Sequence, residues 1–381
     1  MNGISLARIL AVLQKEFTQL LRDRLTYAMM LGIPVIQLLL FGYAINSDPK
    51  RLPTAVLVQD QGQYSRSVLA ALEHSEYFSI DYAARSPAEM DELIERGAIQ
   101  FAITIPGDFS RRVVRHDKPQ ILVEADASDP AATGPATSAL AALPVEALRH
   151  DLKGATAPGK AASAPFEVVV QRRYNPEGIT SYNIVPGLLG IVLSMTLVMM
   201  TALGVTRESE RGTMETLLAT PLRPIEVMIG KLTPYVMVGT IQATVIITVA
   251  RILFGVPMAG GWAALILGLF TGVALFIIGS LALGFLISTV ARSQLQAMQM
   301  SFFYMLPSIL LSGFLFPFRG MPEWAQWIGA VIPVTHVLRV VRGAMLKGVG
   351  IAEVAPSLGV LALFVVIVAG IAVKQYRTTL D

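Results

Sequence analysis

Long apolar runs without a single charge recur along the chain. A helix needs about 20 apolar residues to cross a bilayer core of roughly 30 Å. Six stretches meet that length: Leu25 to Asp48, apolar as far as Ile45; Gly178 to Thr206; Leu232 to Ala250; about Trp262 to Val290; Ser293 to Phe318; and Val354 to Val373. The charge-free run from Ile252 to Ala291 is too long for one span. It is divided by a turn through Gly255, Val256 and Pro257 to Gly260 and Gly261. Pro34, Pro234 and Pro307 lie inside spans and read as packing kinks, which membrane helices tolerate where neighbours satisfy the freed carbonyl.

Before the first span the pattern changes to helical periodicity. Leu6, Ile9, Leu10, Leu13, Phe17, Leu20 and Leu21 share one face, with Arg8, Lys15, Glu16, Gln19 and Arg22 opposite. Residues 1–24 are therefore expected to form an amphipathic helix on the membrane surface. The run 25–45 is longer than a signal-peptide core and lacks an A-x-A-like site, so it reads as an uncleaved anchor.

Residues 46–180 alternate strand and helix signals. Strands are expected at Ala55–Val58, Phe78–Tyr82, Gln100–Ile105, Ile121–Glu124 and Phe166–Val170. Helices are expected at Ser65–His74, Pro87–Arg96, Asp108–Arg115 and Ala136–Leu152. Ser86, Pro87 and Glu89 form the start signal of the second of these, with a capping hydroxyl, a first-turn proline and an acid three residues on. The block is long enough for one α/β core. Gly154 to Pro165 reads as a loop.

Composition sharpens this division. The chain has 381 residues, of which 54% are hydrophobic and 15% charged, against roughly 25% charged in soluble domains. The deficit is confined to the apolar runs. The net charge of +3 comes without a dense basic run, which argues against nucleic acid as a partner. There is no cysteine, so disulfides and thiolate chemistry are excluded. Lysine and arginine near the span ends favour both termini inside and residues 46–180 outside. Arg207, Arg211, Arg223, Lys231 and Arg292 fall on the inner side of that arrangement.

Catalytic chemistry is hard to find. Gly154 to Lys160 nearly matches a phosphate-binding loop, but Ala161 stands where magnesium needs a hydroxyl and no strand leads into it. His74, His116, His150 and His336 have no ligand spacing, so no metal site is expected. The span centres lack ionisable residues, which counts against ion-coupled transport. They do carry polar and polarisable groups. Ser194, Met195, Thr196, Met199, Gln299, Phe302 and Phe303 are the candidate substrate-pathway residues. Two readings stay open for them: contacts between helices, or an adaptable lining for varied hydrophobic substrates.

The segment between the second and third spans is the most informative. Glu208, Glu210, Arg211, Gly212, Thr213, Glu215, Leu217 and Leu218 lead into Thr220, Pro221, Arg223 and Pro224, then Glu226, Gly230 and Lys231. Physically this is a short helix on a stiff mount. The pattern E-x-x-x-G-T-x-E-x-L-L-x-T-P-x-R-P-x-E-x-x-x-G-K, from Glu208 to Lys231, resembles the ABC-2 family of exporter permeases. Asn175 and Pro176, Val185 to Gly190, and Pro333 to His336 with Arg342 and Gly343 resemble its branch with a large outer domain after the first span.

The resemblance implies a polytopic α-helical membrane protein of six transmembrane helices with an inserted α/β extracytoplasmic domain. Residues 1–24 would be the cytoplasmic helix, 25–45 the first span, 46–180 the periplasmic domain, and 181–381 the remaining five-helix bundle. Within that bundle 207–219 would be the coupling helix. Residues 319–350 would be outer interfacial helices, with Trp324 and Trp327 at the membrane–water boundary. It further implies a homodimer or heterodimer with a related permease, and an ABC ATPase partner docked on Glu208 to Leu218 that holds ATP and magnesium. A periplasmic adaptor protein and a bacterial inner-membrane location also follow. The chain itself would bind no cofactor and would export hydrophobic or amphipathic substrates. Two other classes compete: a membrane sensor or scaffold with a ligand-binding outer domain, and an ion-coupled carrier.

Overall fold

A computed structural model describes residues 49–149, 151–152, 164–210, 224–260 and 268–375. The expected helix at 1–24, the first span at 25–45, the Gly154 to Lys160 stretch and the segment from Arg211 to Leu218 lie outside the described residues.

The α/β expectation holds for the region after the first run. In chain order it contains β1 (Leu52–Val58), α1 (Gln63–His74), β2 (Phe78–Ala83), α2 (Pro87–Glu95), β3 (Phe101–Ile105) and α3 (Phe109–Val114). Then come β4 (Gln120–Asp126), α4 (Pro130–Ala139), α5 (Leu143–Glu146) and β5 (Glu167–Arg173). The sheet order is β2-β1-β3-β4-β5. Only β3 and β4 run antiparallel. Strand parity decides the two faces. Leu52, Val56, Phe101, Ile103, Ile121 and Val123 point into one core with α1 and α3. Ala55, Leu57 and Ala102 point into the other with Met90 and Ile94 of α2. Burial on both faces is why β1 and β3 read as continuous apolar runs.

The cap at Ser86 forms as expected: its hydroxyl accepts from Glu89 N at 3.3 Å, and Glu89 reaches back to Arg85 N at 2.8 Å. The helix expected over Ala136–Leu152 is corrected. It is two shorter helices, α4 and α5, separated at Leu140. The start signal was Asp129 followed by Pro130, which sets the backbone angle of the first helical position. Pro144 opens α5 in the same way.

The membrane part consists of α6 (Thr180–Glu210), α7 (Pro224–Ile252), α8 (Thr271–Val290), α9 (Gln294–Leu311), α10 (Glu323–Val331), α11 (Pro333–Arg342) and α12 (Ile351–Gln375). Among the described residues four helices are long and apolar enough to cross a membrane: Thr180–Glu208, Leu232–Ile252, Gly268–Val290 and Ile351–Gln375. The pair α10 and α11, bent by 84°, would make a fifth if it counted as one span. The run from Ser293 to Phe318 forms a helix only as far as Leu311. Gln294, Gln296 and Gln299 dilute its apolar character, and Gly313 leaves the helix with φ +81°.

Helices α6 and α8 form the bundle's centre, sharing a core of Leu189, Leu193, Leu197, Phe276, Leu281 and Phe285. Helices α7 and α12 flank it. Each shows a stripe to the outside, Met237, Ile241 and Val245 on one and Leu363, Val366 and Ile367 on the other. Outward apolar stripes on long helices suit lipid, since hydrocarbon is as apolar as the side chains.

Residues 319–350 contain the expected short helices, joined by a sharp corner. Pro333 starts α11 without an N–H to offer. Carbonyls at the end of α10 are taken by side chains instead. Thr335 Oγ1 donates to Gly329 O at 2.6 Å, and His336 Nε2 lies 2.8 Å from Ala330 O. His336 is thus a structural residue of the corner. A π turn, Gly343–Lys347, continues α11 and ends at Gly348 with φ +68°.

Candidate functional site

Three places collect polar side chains in ways that bear on function. The first is the end of α6, where the informative loop begins. Arg207 and Glu210 are exposed there. The Glu210 carboxylate accepts from Gln294 N at 2.7 Å and from Gln294 Nε2 at 2.5 Å. Arg207 Nε donates to Gln294 Oε1 at 3.2 Å. Glu210 therefore sits on the N-terminus of α9, where free N–H groups and the helix dipole favour a negative charge. The Gln294 side chain and backbone hydrogen bonds hold its carboxyl below the ordinary range. Of the coupling residues expected from the sequence, Glu208 and Glu210 are described; Arg211, Gly212, Thr213, Glu215, Leu217 and Leu218 are not. The contact from Glu210 to Gln294 was not anticipated.

The second place is the bundle interior, and here the seven pathway residues separate. Ser194 is buried on the face of α6 toward Tyr304 of α9. Thr196 Oγ1 accepts from Gln242 Nε2 of α7 at 3.2 Å. Gln299 Oε1 is buried without a partner among the described residues. Met199 is half-buried. Met195, Phe302 and Phe303 are exposed, each by about two-fifths of its surface. The set thus divides into polar groups between helices and apolar groups on the outside of this subunit. Thr201, Thr206, Gln242 and Ser280 add further buried oxygens without partners among the described residues.

The third place was missed by sequence reasoning. It lies where the α/β domain meets α11 and the π turn. Lys347 Nζ donates to Asp126 Oδ2 at 2.5 Å, and both side chains are almost fully buried. The same ammonium reaches Ile94 O at 3.3 Å and lies 5.2 Å from the Tyr174 ring. Burial pushes the Tyr174 hydroxyl up to about 12, with the nearby Asp126 and Glu95 charges adding to the effect. Asn183, at the start of α6, donates to Asp129 Oδ1 at 2.8 Å. Burial raises the Asp129 carboxyl above its ordinary range, against the opposing pull of Arg342. The signal available in the sequence was the spacing of Arg339, Arg342 and Lys347 within an apolar helix. Asp126, the carboxylate partner of Lys347, is more than two hundred residues away and carries no local mark.

Comparison with known proteins agrees with this architecture. The model of the "ABC-2 family transporter protein" family matches residues 24–374. The probable multidrug ABC transporter permease YbhR of Escherichia coli is 27% identical over 97% of this chain and 98% of its own length. YbhS of the same organism, also a probable multidrug ABC transporter permease, is 29% identical over 91% of this chain and 90% of its own. The linearmycin resistance permease protein LnrN of Bacillus subtilis is 20% identical over 97% and 99%. These relatives are permease subunits, and in such transporters ATP is hydrolysed by a separate subunit. The apolar helices, the α/β sheet region and a family match over nearly the whole chain agree: this chain is a multi-pass membrane protein belonging to the ABC-2 family of transporter proteins.

Proposed function

We propose that this chain is the permease subunit of an ATP-driven exporter that moves hydrophobic or amphipathic molecules, drug-like or lipid, outward across a bacterial inner membrane. Two permease subunits, identical or related, pair to enclose the route. A separate ATPase carries ATP and magnesium and docks on the loop that follows α6. The chain crosses the membrane six times, with residues 25–45 and α9 completing the four long helices. Its α/β domain stands in the periplasm, where an adaptor protein docks on it.

The observation that carries this reading is the clamp at the end of α6. A push on the loop after Glu210 reaches Gln294, and so moves α6 and α9 together. These two helices carry Ser194, Gln299, Phe302 and Phe303. Docking energy on a surface loop thereby becomes motion in the bundle, and no group in the chain need hydrolyse anything.

The test separates docking from transmission. Exposed charges on a lone subunit contribute within about 0.5 kcal/mol, but at a docked interface a buried charge pair is worth roughly 2–5 kcal/mol. Gly212→Val, or Glu210→Ala with Arg211→Ala, is expected to insert normally and to lose both ATPase co-purification and efflux. Gln294→Ala is expected to keep the ATPase and lose most efflux. Normal behaviour of all variants in both measurements would make the loop a mere connector.

Orientation has its own test, since the chain has no native thiol. Glu73 and Arg292 are both exposed. Glu73→Cys should react with an impermeant maleimide in intact spheroplasts, and Arg292→Cys only after permeabilisation. The reverse pattern would invert the topology.

A further inference from the structure

Between the α/β domain and the corner of α10 and α11 lies a cavity of about 100 Å³. Three guanidiniums line it, Arg319, Arg339 and Arg342, against one carboxylate, Asp129. Gln100 and the backbone at Gly313 complete its polar wall. Arg319 and Arg339 are exposed, and Arg342 is poorly matched by the protein. Arg342 Nη1 donates to Gly313 O at 3.0 Å, while its Nε and Nη2 are buried with no acceptor among the described residues. Arg339 stacks on Phe318 at 4.8 Å, and Arg319 is close enough to repel it. Among the described residues none of the three makes an ion pair. Asp129 is already used by Asn183.

Buried donors without acceptors are costly, and three like charges around a cavity repel. One small ligand corrects both faults. A tetrahedral oxyanion offers several acceptors at once and matches the planar fork of arginine. The space holds such a group: a water's share of liquid volume is about 30 Å³.

We propose that this cavity is a binding site for a phosphate group, held by Arg319, Arg339 and Arg342 at the junction of the outer domain and the bent helix pair. The phosphate belongs either to a lipid headgroup or to a free anion; the chemistry of recognition is the same. A bound phosphate would join α11 to the sheet domain through charge, beside the buried pair of Lys347 and Asp126. The inference does not depend on what the transporter exports.

The test uses the full-length chain purified in maltoside detergent. Sodium phosphate is titrated calorimetrically at ionic strength matched with chloride. Separately, native mass spectrometry compares retention of phosphatidylglycerol with that of a phosphate-free glycolipid of equal chain length. Binding of inorganic phosphate supports the site with a free anion sufficing. Retention of phosphatidylglycerol alone supports it with a lipid headgroup as the source. Arg339→Gln is the informative variant, because the Arg339 side chain makes no hydrogen bond among the described residues and its loss should leave folding intact. It should weaken binding roughly tenfold or more. Asp129→Asn keeps an acceptor for Asn183, removes the opposing charge and should tighten binding. If neither phosphate source binds, or if both variants bind like the wild type, the proposal is wrong.

Discussion

Lys347→Met is expected to destabilise the protein more than any other single side-chain change outside the bundle. The substitution keeps the length of the side chain and removes its charge. Asp126 then remains almost fully buried with Ser128 N, at 3.1 Å, as its remaining side-chain partner. Breaking a buried pair by removing one member costs about 3–5 kcal/mol, because the other charge has lost its compensation. The pair also joins two parts of the chain that no continuous element connects, so the loss falls on the junction. Replacing both members, Lys347→Met with Asp126→Leu, should recover much of the stability, since apolar substitution of a buried pair is often neutral or better. Thermal unfolding of the detergent-solubilised protein, followed by tryptophan fluorescence, measures both. Equal melting of the single and double variants would show that the pair is not a desolvated unit.

The second large effect is expected at Gly284. A Cβ there would lie 2.5 Å from Val198 O and 2.9 Å from Thr201 Cβ. The obstacle is the backbone of α6 itself, which cannot rotate away as a side chain can. Ser280, Gly284 and Ser288 present three small residues on successive turns of α8, all buried. Small residues let helix backbones approach closely in membranes, where packing rather than water drives association. Gly284→Val should force α6 and α8 apart. Overpacking costs typically 1–3 kcal/mol, and a backbone obstacle places this case at or above the upper end. Yield of monodisperse protein on size exclusion and the melting temperature are the measurements. Gly359 is the control, because a Cβ there meets nothing within 4 Å; Gly359→Val should fold like the wild type. Equal behaviour of the two variants would refute the close crossing.

How much of this was legible beforehand differs by region, for physical reasons. Local rules read well. The cap of α2 formed on the residues that signalled it, because Ser86, Pro87 and Glu89 act on neighbours within one turn. The strands of the sheet were found within a few residues, because burial on two faces leaves long apolar runs. The Asp129–Pro130 start of α4 was overlooked, and with it the division of that region into two helices. The run to Phe318 looked like a full span because it lacks charge, yet three glutamines dilute its apolar character and its helix ends before the left-handed Gly313.

The candidate site divides along the same line. Residues 208–218 could be singled out from their pattern, and the pathway residues from being polar or polarisable in an apolar setting. Their partners could not. That Glu210 caps α9, and that Ser194 faces Tyr304 while Met195 faces outward, depends on how two helices are rotated against each other.

The sequence by itself determined that this is a membrane protein with an α/β region, because twenty apolar residues without charge have few stable states other than a bilayer helix. It also determined the family, through a loop whose spacing is recognisable without coordinates. Only the tertiary structure decided which charges are buried together. Lys347 with Asp126, and Arg342 beside Asp129, are set by the packing of the sheet domain on the bent helix pair. Coulomb energy and desolvation depend on distance and burial, and between residues two hundred positions apart those quantities exist only once the chain has folded.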